Sequence, residues 1–345
     1  MKRINVILAA LIVLGLMTGC GGSGSGNKNT SENTQEETQT SVDADTPDAP
    51  AGITLTIKAK SEVEINLNCL QPATIDWGDG SPVETVQIVA WHERYKHNYA
   101  QPTEYTINIT GEKITYLWFI GLEVINLNIN VSTLKILGCN SSKIHALDVS
   151  KSADLEELNC RSNQLTTLDV SKNTKLRDLC CDFNQITTLD VSKNTTMEKL
   201  NCSGNKLKTL DVSKNTALKS LDCYSNLLTS LDVSKNTAIT QLTCGWQALK
   251  SLDLRNNTAL QDLSCTDAQL TSLDLSKNTQ LFVIQCRENQ LSAEALNALY
   301  RTLHSNTNDD YNAKRIYTFD NPGTDASDET IAEQKGWTVN EYEGD

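Results

Sequence analysis

Apolar residues recur along the middle of the chain with two superposed periods. Within a unit they alternate: Leu158 with Cys160, Leu179 with Cys181, Leu200 with Cys202, each pair separated by a polar or outward position. Between units they repeat every 21 residues. Cys139, Cys160, Cys181, Cys202, Cys223, Cys244, Cys265 and Cys286 form one column, and Leu158, Leu179, Leu200, Leu221, Leu242, Leu263 and Ile284 another. The alternation predicts a short strand with one buried face. The fixed period predicts a solenoid, whose units bury their apolar face only against one another. Stacked about 4.8 Å apart, such strands form a parallel sheet. Leu168-Asp-Val170 and its copies repeat the alternation in the second half of each unit, which predicts a second strand ladder on the opposite wall. So short a unit leaves room for tight turns but not for full helices. A degenerate earlier unit precedes these, with Ile114, Leu117, Phe119, Leu127 and Ile129 standing 20 residues before Leu134, Leu137, Cys139, Leu147 and Val149.

The pattern changes on either side. Between 53 and 110, Ile53-Thr-Leu55-Thr-Ile57, Val63-Glu-Ile65-Asn-Leu67 and Tyr105-Thr-Ile107-Asn-Ile109 alternate as strands do. After 291, Ser292 opens a predicted helix with Leu296, Leu299, Tyr300 and Leu303 on one face. A strand over Ile316-Tyr-Thr-Phe319, a turn at Asn321-Pro-Gly323, a short helix over about 328–335 and a last strand at Trp337-Thr-Val339 complete a small α/β cap over 292–345. Residues 21–52 hold almost no large apolar side chain and do not offset the entropy of ordering, so they read as a flexible tether with a reach of about 30 Å. At the start, Met1-Lys2-Arg3, an apolar run from Ile4 to Met17 and Thr18-Gly19-Cys20 predict a secretory signal peptide over 1–20.

Three stretches resemble known families. LxxLxCxxNxLxxLDVSKNTx, repeated from about Leu134 to Leu291, resembles the leucine-rich repeat in its 21-residue bacterial variety. Met17-Thr-Gly-Cys20 resembles the lipobox of bacterial lipoproteins, which implies lipid on Cys20 as the mature N-terminus. Trp77-Gly-Asp-Gly-Ser81, followed by His97-Asn-Tyr99 and Tyr105-Thr-Ile107-Asn-Ile109, resembles the PKD domain, an immunoglobulin-like β-sandwich and an extracellular spacer or adhesive module. The implied architecture is mainly β: a sandwich over 53–110, leucine-rich repeats over 111–291 and the cap.

Each column has a chemical role. Asn163, Asn184, Asn205, Asn226 and Asn289 are placed to bond backbone groups of their own and the neighbouring turn, with Gln247 and Ala268 interrupting the series. The column thiols read as small apolar groups, because parallel side chains do not meet the strict geometry of a disulfide. Cys180, between two inward positions, faces outward and is the one repeat thiol expected to react. Asp148, Asp169, Asp190, Asp211, Asp232, Asp253 and Asp274 stack as a carboxylate ladder. Each has a backbone N–H two residues on to accept, and a lysine column runs three positions later. With that charge matched, neither calcium nor another metal is expected.

The formal charge of −13, with no basic stripe, excludes nucleic acid as a natural partner. No nucleophile triad, phosphate loop or metal motif stands in the sequence, and no cofactor is expected. Capped solenoids present extended surfaces to partners. The outward residues beside the Leu-Cys strand vary from unit to unit, whereas those of the opposite wall are nearly invariant Thr or Ser, Asp and Ser. The variable face is therefore the candidate ligand surface, with Tyr224, Trp246, Phe183, Arg161, Asp182 and Asp222 as candidate contacts for a protein or carbohydrate. The resulting expectation is a non-catalytic binding or adhesion lipoprotein of the bacterial outer membrane or cell surface, touching the membrane only through its lipid. A passive spacer is the alternative, and a glycan-active enzyme a remote third.

Overall fold

The structure is a computed structural model and describes residues 51–59, 61–88, 92–306 and 314–340. Cys20, the signal sequence and nearly all of the tether lie outside the described residues. The described chain is mainly β. Eight strands come first: β1 (Gly52–Lys58), β2 (Glu62–Cys69), β3 (Ala73–Asp76), β4 (Glu84–Val86), β5 (Glu93–Asn98), β6 (Glu104–Thr110), β7 (Ile114–Ile120) and β8 (Val124–Asn130). Then come the short repeat strands β9 (Ile136–Asn140), β10 (Glu157–Asn159), β11 (Asp178–Cys180), β12 (Lys199–Asn201), β13 (Ser220–Asp222), β14 (Gln241–Thr243), β15 (Asp262–Ser264) and β16 (Val283–Gln285). The chain closes with α1 (Ala293–Thr302), β17 (Lys314–Tyr317), α2 (Thr330–Glu333) and β18 (Trp337–Val339).

These strands make two sheets. One has five strands in the order β4-β3-β6-β1-β8. The other has 13, running β18-β17-β16-β15-β14-β13-β12-β11-β10-β9-β7-β2-β5. Strand β7 joins its two halves. It pairs antiparallel with β2, Leu67 opposite Leu117, and parallel with β9, where Leu117 meets Leu137 and Phe119 meets Cys139. The sheet thus runs unbroken across residue 110. Leu127 and Ile129, which the 20-residue offset aligns with Leu147 and Val149, instead lie in β8 and pair with β1. One hydrophobic core runs from Ile53 to Val339, so the two-sheet region and the coils are packed as a single body.

From β9 onwards every rung repeats the same register, Leu158 on Leu179 on Leu200 and so on to Ile284. The column cysteines are buried free thiols. Burial pushes the Cys139, Cys223 and Cys265 thiols up to about 12.

The opposite wall departs from the expected second ladder. Leu168, Val170 and their copies do point inward and are buried, but among the described residues no strand pairing forms there. The coils are tied instead by a second asparagine column, Asn173, Asn194, Asn215, Asn236, Asn257 and Asn278, all buried. Each side-chain amide donates to two carbonyls of the previous coil; Asn215 reaches Val191 at 2.9 Å and Asn194 at 2.9 Å. Amide side chains replace the backbone ladder because the tight turn at Ser-Lys-Asn-Thr leaves carbonyls that only a side chain reaches.

The first asparagine column behaves as the pattern predicts: Asn205 donates to the carbonyls of Cys181 and Cys202 and accepts from the Ile186 N–H. At the first interruption Gln247 keeps both donor bonds, to the carbonyls of Cys244 at 2.8 Å and Cys223 at 3.4 Å, but its Oε1 accepts none among the described residues. Left-handed residues Lys250 and Gln269 mark the local distortion of these turns. In the cap, Ser292 starts α1 by accepting from the Ala295 N–H, and the helix buries Leu296, Leu299 and Tyr300. β17 and β18 add two more parallel rungs. Asn321, read as part of a turn, is also the next member of the asparagine column, donating to Cys286 and Thr318 and accepting from Leu291.

Candidate functional site

The outer face of the 13-stranded sheet is open, and its side chains come from every rung at positions two residues apart. Each repeat strand then enters a turn in which the residue two after the column cysteine is left-handed: Ser141, Ser162, Phe183, Gly204, Ser225, Trp246, Asp267 and Glu288. Such a backbone aims the side chain away from the coil, which is why Phe183 and Trp246 stand 49% and 52% exposed. They occupy one column three rungs apart, or about 14 Å at the spacing of paired strands.

The six predicted contacts fall into two groups. In the first, the Arg161 guanidinium lies 5.2 Å from the centroid of the Phe183 ring, and its Nε is 3.2 Å from Oδ2 of the buried Asp182. Phe183 rests on Gly204, where a Cβ would stand 2.7 Å from the ring. Cys180 donates its thiol hydrogen to Asp182 Oδ1 at 3.1 Å. This corrects the expected reactivity of Cys180. Burial first, and the Asp182 carboxylate second, push its thiol up to about 12, so the thiolate that would react is scarce. In the second group, the Tyr224 and Trp246 rings are 5.6 Å apart and tilted by 33°. Asp222 accepts the Tyr224 N–H at 3.1 Å, and burial raises its carboxyl above the usual range.

The structure adds residues that the periodic reading passed over. On β7, Leu117 and Phe119 point inward, so Tyr116 and Trp118 face outward. His92 stacks on Tyr116 at 4.6 Å, and Trp118 lies 6.3 Å from Tyr116. Trp118 lies flat on Gly138 of the next rung, where a Cβ would fall 2.1 Å from the ring. The signal was in the sequence: Gly138 is 20 residues after Trp118 in the same outward column. Farther along the face, Asp178, Lys199, Asn201, Asp222, Thr243 and Asp262 border a shallow depression of 360 Å³.

From Lys135 to Lys219 the column just before the strands alternates in charge. Lys135 bonds Glu156 at 2.9 Å, and Glu198 takes both Arg177 and, at 2.7 Å, Lys219. On the opposite wall the Asp ladder is held as expected by backbone N–H groups, for example Ser192 to Asp190 at 2.8 Å. That bond, ahead of the lysine column, lowers the Asp190 carboxyl. Among the described residues no group of His, Cys, Asp and Glu is arranged to hold a metal ion.

No family model matches the sequence, and no curated protein does. Solved structures do. The functional domain of InlJ from Listeria monocytogenes, described as including a cysteine ladder, is 35% identical, with a TM-score of 0.57 over 65% of this chain and 47% of that one. The fold is a leucine-rich-repeat-like β-solenoid. A leucine-rich-repeat protein of Leptospira interrogans is 22% identical, with a TM-score of 0.48 over 55% of this chain and 50% of that one. An internalin C2 of Listeria monocytogenes is 18% identical, with a TM-score of 0.44 over 47% and 74%. The chain spans about half the length of the first two. These neighbours point to no catalytic family. Among the described residues no helix is long and apolar enough to cross a membrane.

Proposed function

We propose that the protein is a non-catalytic surface binder or adhesin, recognising a protein or glycan through the outer face of its long sheet. The observation that carries this is the pair of aromatic groups, Arg161 with Phe183 and the half-buried Tyr224 with Trp246, on the one wall whose outward residues change from rung to rung. Exposed aromatics and arginine are the side chains on which partner affinity concentrates. The anchor belongs to the same reading: lipid on Cys20 and the 21–52 tether hold the body off a bacterial outer membrane or cell surface. Residues 53–110 act as a PKD-like spacer at the base of the repeats. Support for that comes from Trp77, buried with its Nε1 on Glu84 at 3.1 Å, and from Tyr99, which donates to the Trp77 carbonyl at 2.7 Å.

The test is a protein and glycan array screen on the body from residue 51, followed by substitution. Tyr224→Ala and Trp246→Ala are expected to weaken the captured ligand by about 1–3 kcal/mol each. Asp190→Ala and Asp211→Ala, on the opposite wall, are expected to leave binding unchanged. The assigned face is wrong if the second pair abolishes binding and the first does not. Cys20→Ala is expected to release the protein from washed membranes; retention there removes the anchor from the proposal.

A further inference from the structure

The chemistry of the partner is legible in the charges of this face, an inference that rests on the binding face proposed above. Glu157, Asp178, Asp222 and Asp262 all point outward from the sheet, on rungs β10, β11, β13 and β15. Lys199, between them, is 3.6 Å from Asp178. Among the described residues Glu157, Asp222 and Asp262 have no ion-pair partner, although each is partly buried and the neighbouring column alternates in charge from Lys135 to Lys219. Burial holds all three carboxyls above their usual range. Lys199 acts on Glu157 only from beyond ion-pair distance. Carboxylates left partly desolvated without a direct ion pair cost stability in the free protein, and a cation supplied from outside relieves that cost.

Two independent features stand on the same face. Trp118 and Tyr116, the latter stacked by His92, form an aromatic platform two rungs before Glu157, with Trp118 seated on Gly138 and only partly buried. Aromatic faces attract guanidinium and ammonium groups. On the Asp262 rung, Thr266 alternates onto the face with its buried hydroxyl lacking a hydrogen-bond partner among the described residues.

We propose that the outer face, from the Trp118 platform to Asp262, binds an extended basic segment of a partner protein, with arginine or lysine side chains on the aromatic platform and on Glu157, Asp222 and Asp262. The surface spans seven rung intervals, about 34 Å at the spacing of paired strands, which about ten extended residues cover. Such a segment needs no pocket, only a row of acidic and aromatic contacts on an otherwise flat sheet.

The probe is fluorescein-labelled (Arg-Thr)5, titrated by fluorescence anisotropy at 150 mM NaCl, with (Glu-Thr)5 and labelled maltohexaose beside it. The expected result is saturable binding of the basic peptide alone. The triple variant Glu157→Gln, Asp222→Asn, Asp262→Asn is expected to weaken it at least tenfold, and Trp118→Ala severalfold. The triple variant Asp169→Asn, Asp190→Asn, Asp211→Asn on the opposite wall is the control for the overall negative charge, and it is expected to change affinity less than twofold. Circular dichroism checks that each variant folds, and the two charge triples suffice if Trp118→Ala does not. The proposal is overturned if the basic peptide fails to bind, if (Glu-Thr)5 binds as well, or if the opposite-wall triple weakens binding as much. Trp118-dependent binding of maltohexaose without binding of the peptide assigns the face to glycan. That outcome overturns this inference and leaves the binding face standing.

Discussion

Trp118 and Gly138 show how one residue fixes another on this face. The ring occupies the space a side chain at 138 would need. Gly138→Ala is expected to lift the ring and cost about 1–3 kcal/mol, measured by urea unfolding with tryptophan fluorescence. The cost should shrink in a Trp118→Ala background, because the two residues share one contact; equal costs in both backgrounds would exclude it. Cys180 makes a second residue-scale case. Its outward direction was legible from the alternation, but the burial and the acceptor that raise its pKa were not: Asp182 is itself buried, with Arg161 of the preceding rung 3.2 Å from it. Iodoacetamide at pH 8 is expected to label Cys180 about a thousandfold more slowly than a free thiol. Labelling at the free rate would show that the thiol does not donate to Asp182.

Among the elements, the two asparagine columns do the work of a second sheet. Asn215→Ala removes two buried bonds and is expected to cost about 1–3 kcal/mol, whereas Lys214→Ala beside it should stay within about 0.5 kcal/mol. Equal effects would mean that the lysine column, not the amides, ties the coils. The two acidic rows respond to pH in opposite senses. In the Asp ladder the folded-state carboxyls are lowered, chiefly by backbone N–H groups, so their contribution is present above the ordinary carboxylate range and lost as pH falls through the lowered values. Asp190→Ala should therefore melt lower at pH 7, with a gap that narrows in acid. On the outer face the carboxyls are raised, so the folded state disfavours the charged form as pH climbs through and past the raised values. Asp222→Asn with Asp262→Asn should melt higher at pH 7, with no gain in acid. A lower melting temperature at pH 7 would show that these carboxylates stabilise the free protein, contrary to a role reserved for a ligand.

At the scale of the whole molecule, β7 is the decisive strand. It closes the antiparallel part of the long sheet and starts the parallel part, so neither side is complete without the other. A chain beginning at Gly111 is expected to expose Leu117, Phe119 and the edge of β7 and to aggregate, read by size-exclusion chromatography and circular dichroism. A monomer with unchanged melting would show that the repeats are an independent unit. The other end carries its own closure. α1 covers the core, Lys335 donates to the carbonyls of Tyr300, Arg301 and Leu303 at its C-terminus, and β18 ends the sheet.

By itself the sequence determined the rung. A 21-residue period with Leu and Cys two apart dictates inward faces, parallel register and the first asparagine column, because those are relations within a coil or between identical positions of adjacent coils. Tertiary structure decided whatever depends on unlike neighbours. Asn66 meets Trp118 only because β2 and β7 pair across some fifty intervening residues. Asp182 is buried, with Arg161 of the preceding rung 3.2 Å from it. The second wall is tied by amides because its turn geometry offers carbonyls where a strand would offer a full ladder. Periodicity encodes what repeats; the candidate site is built where the repeat is broken, by contacts that no column of the sequence records.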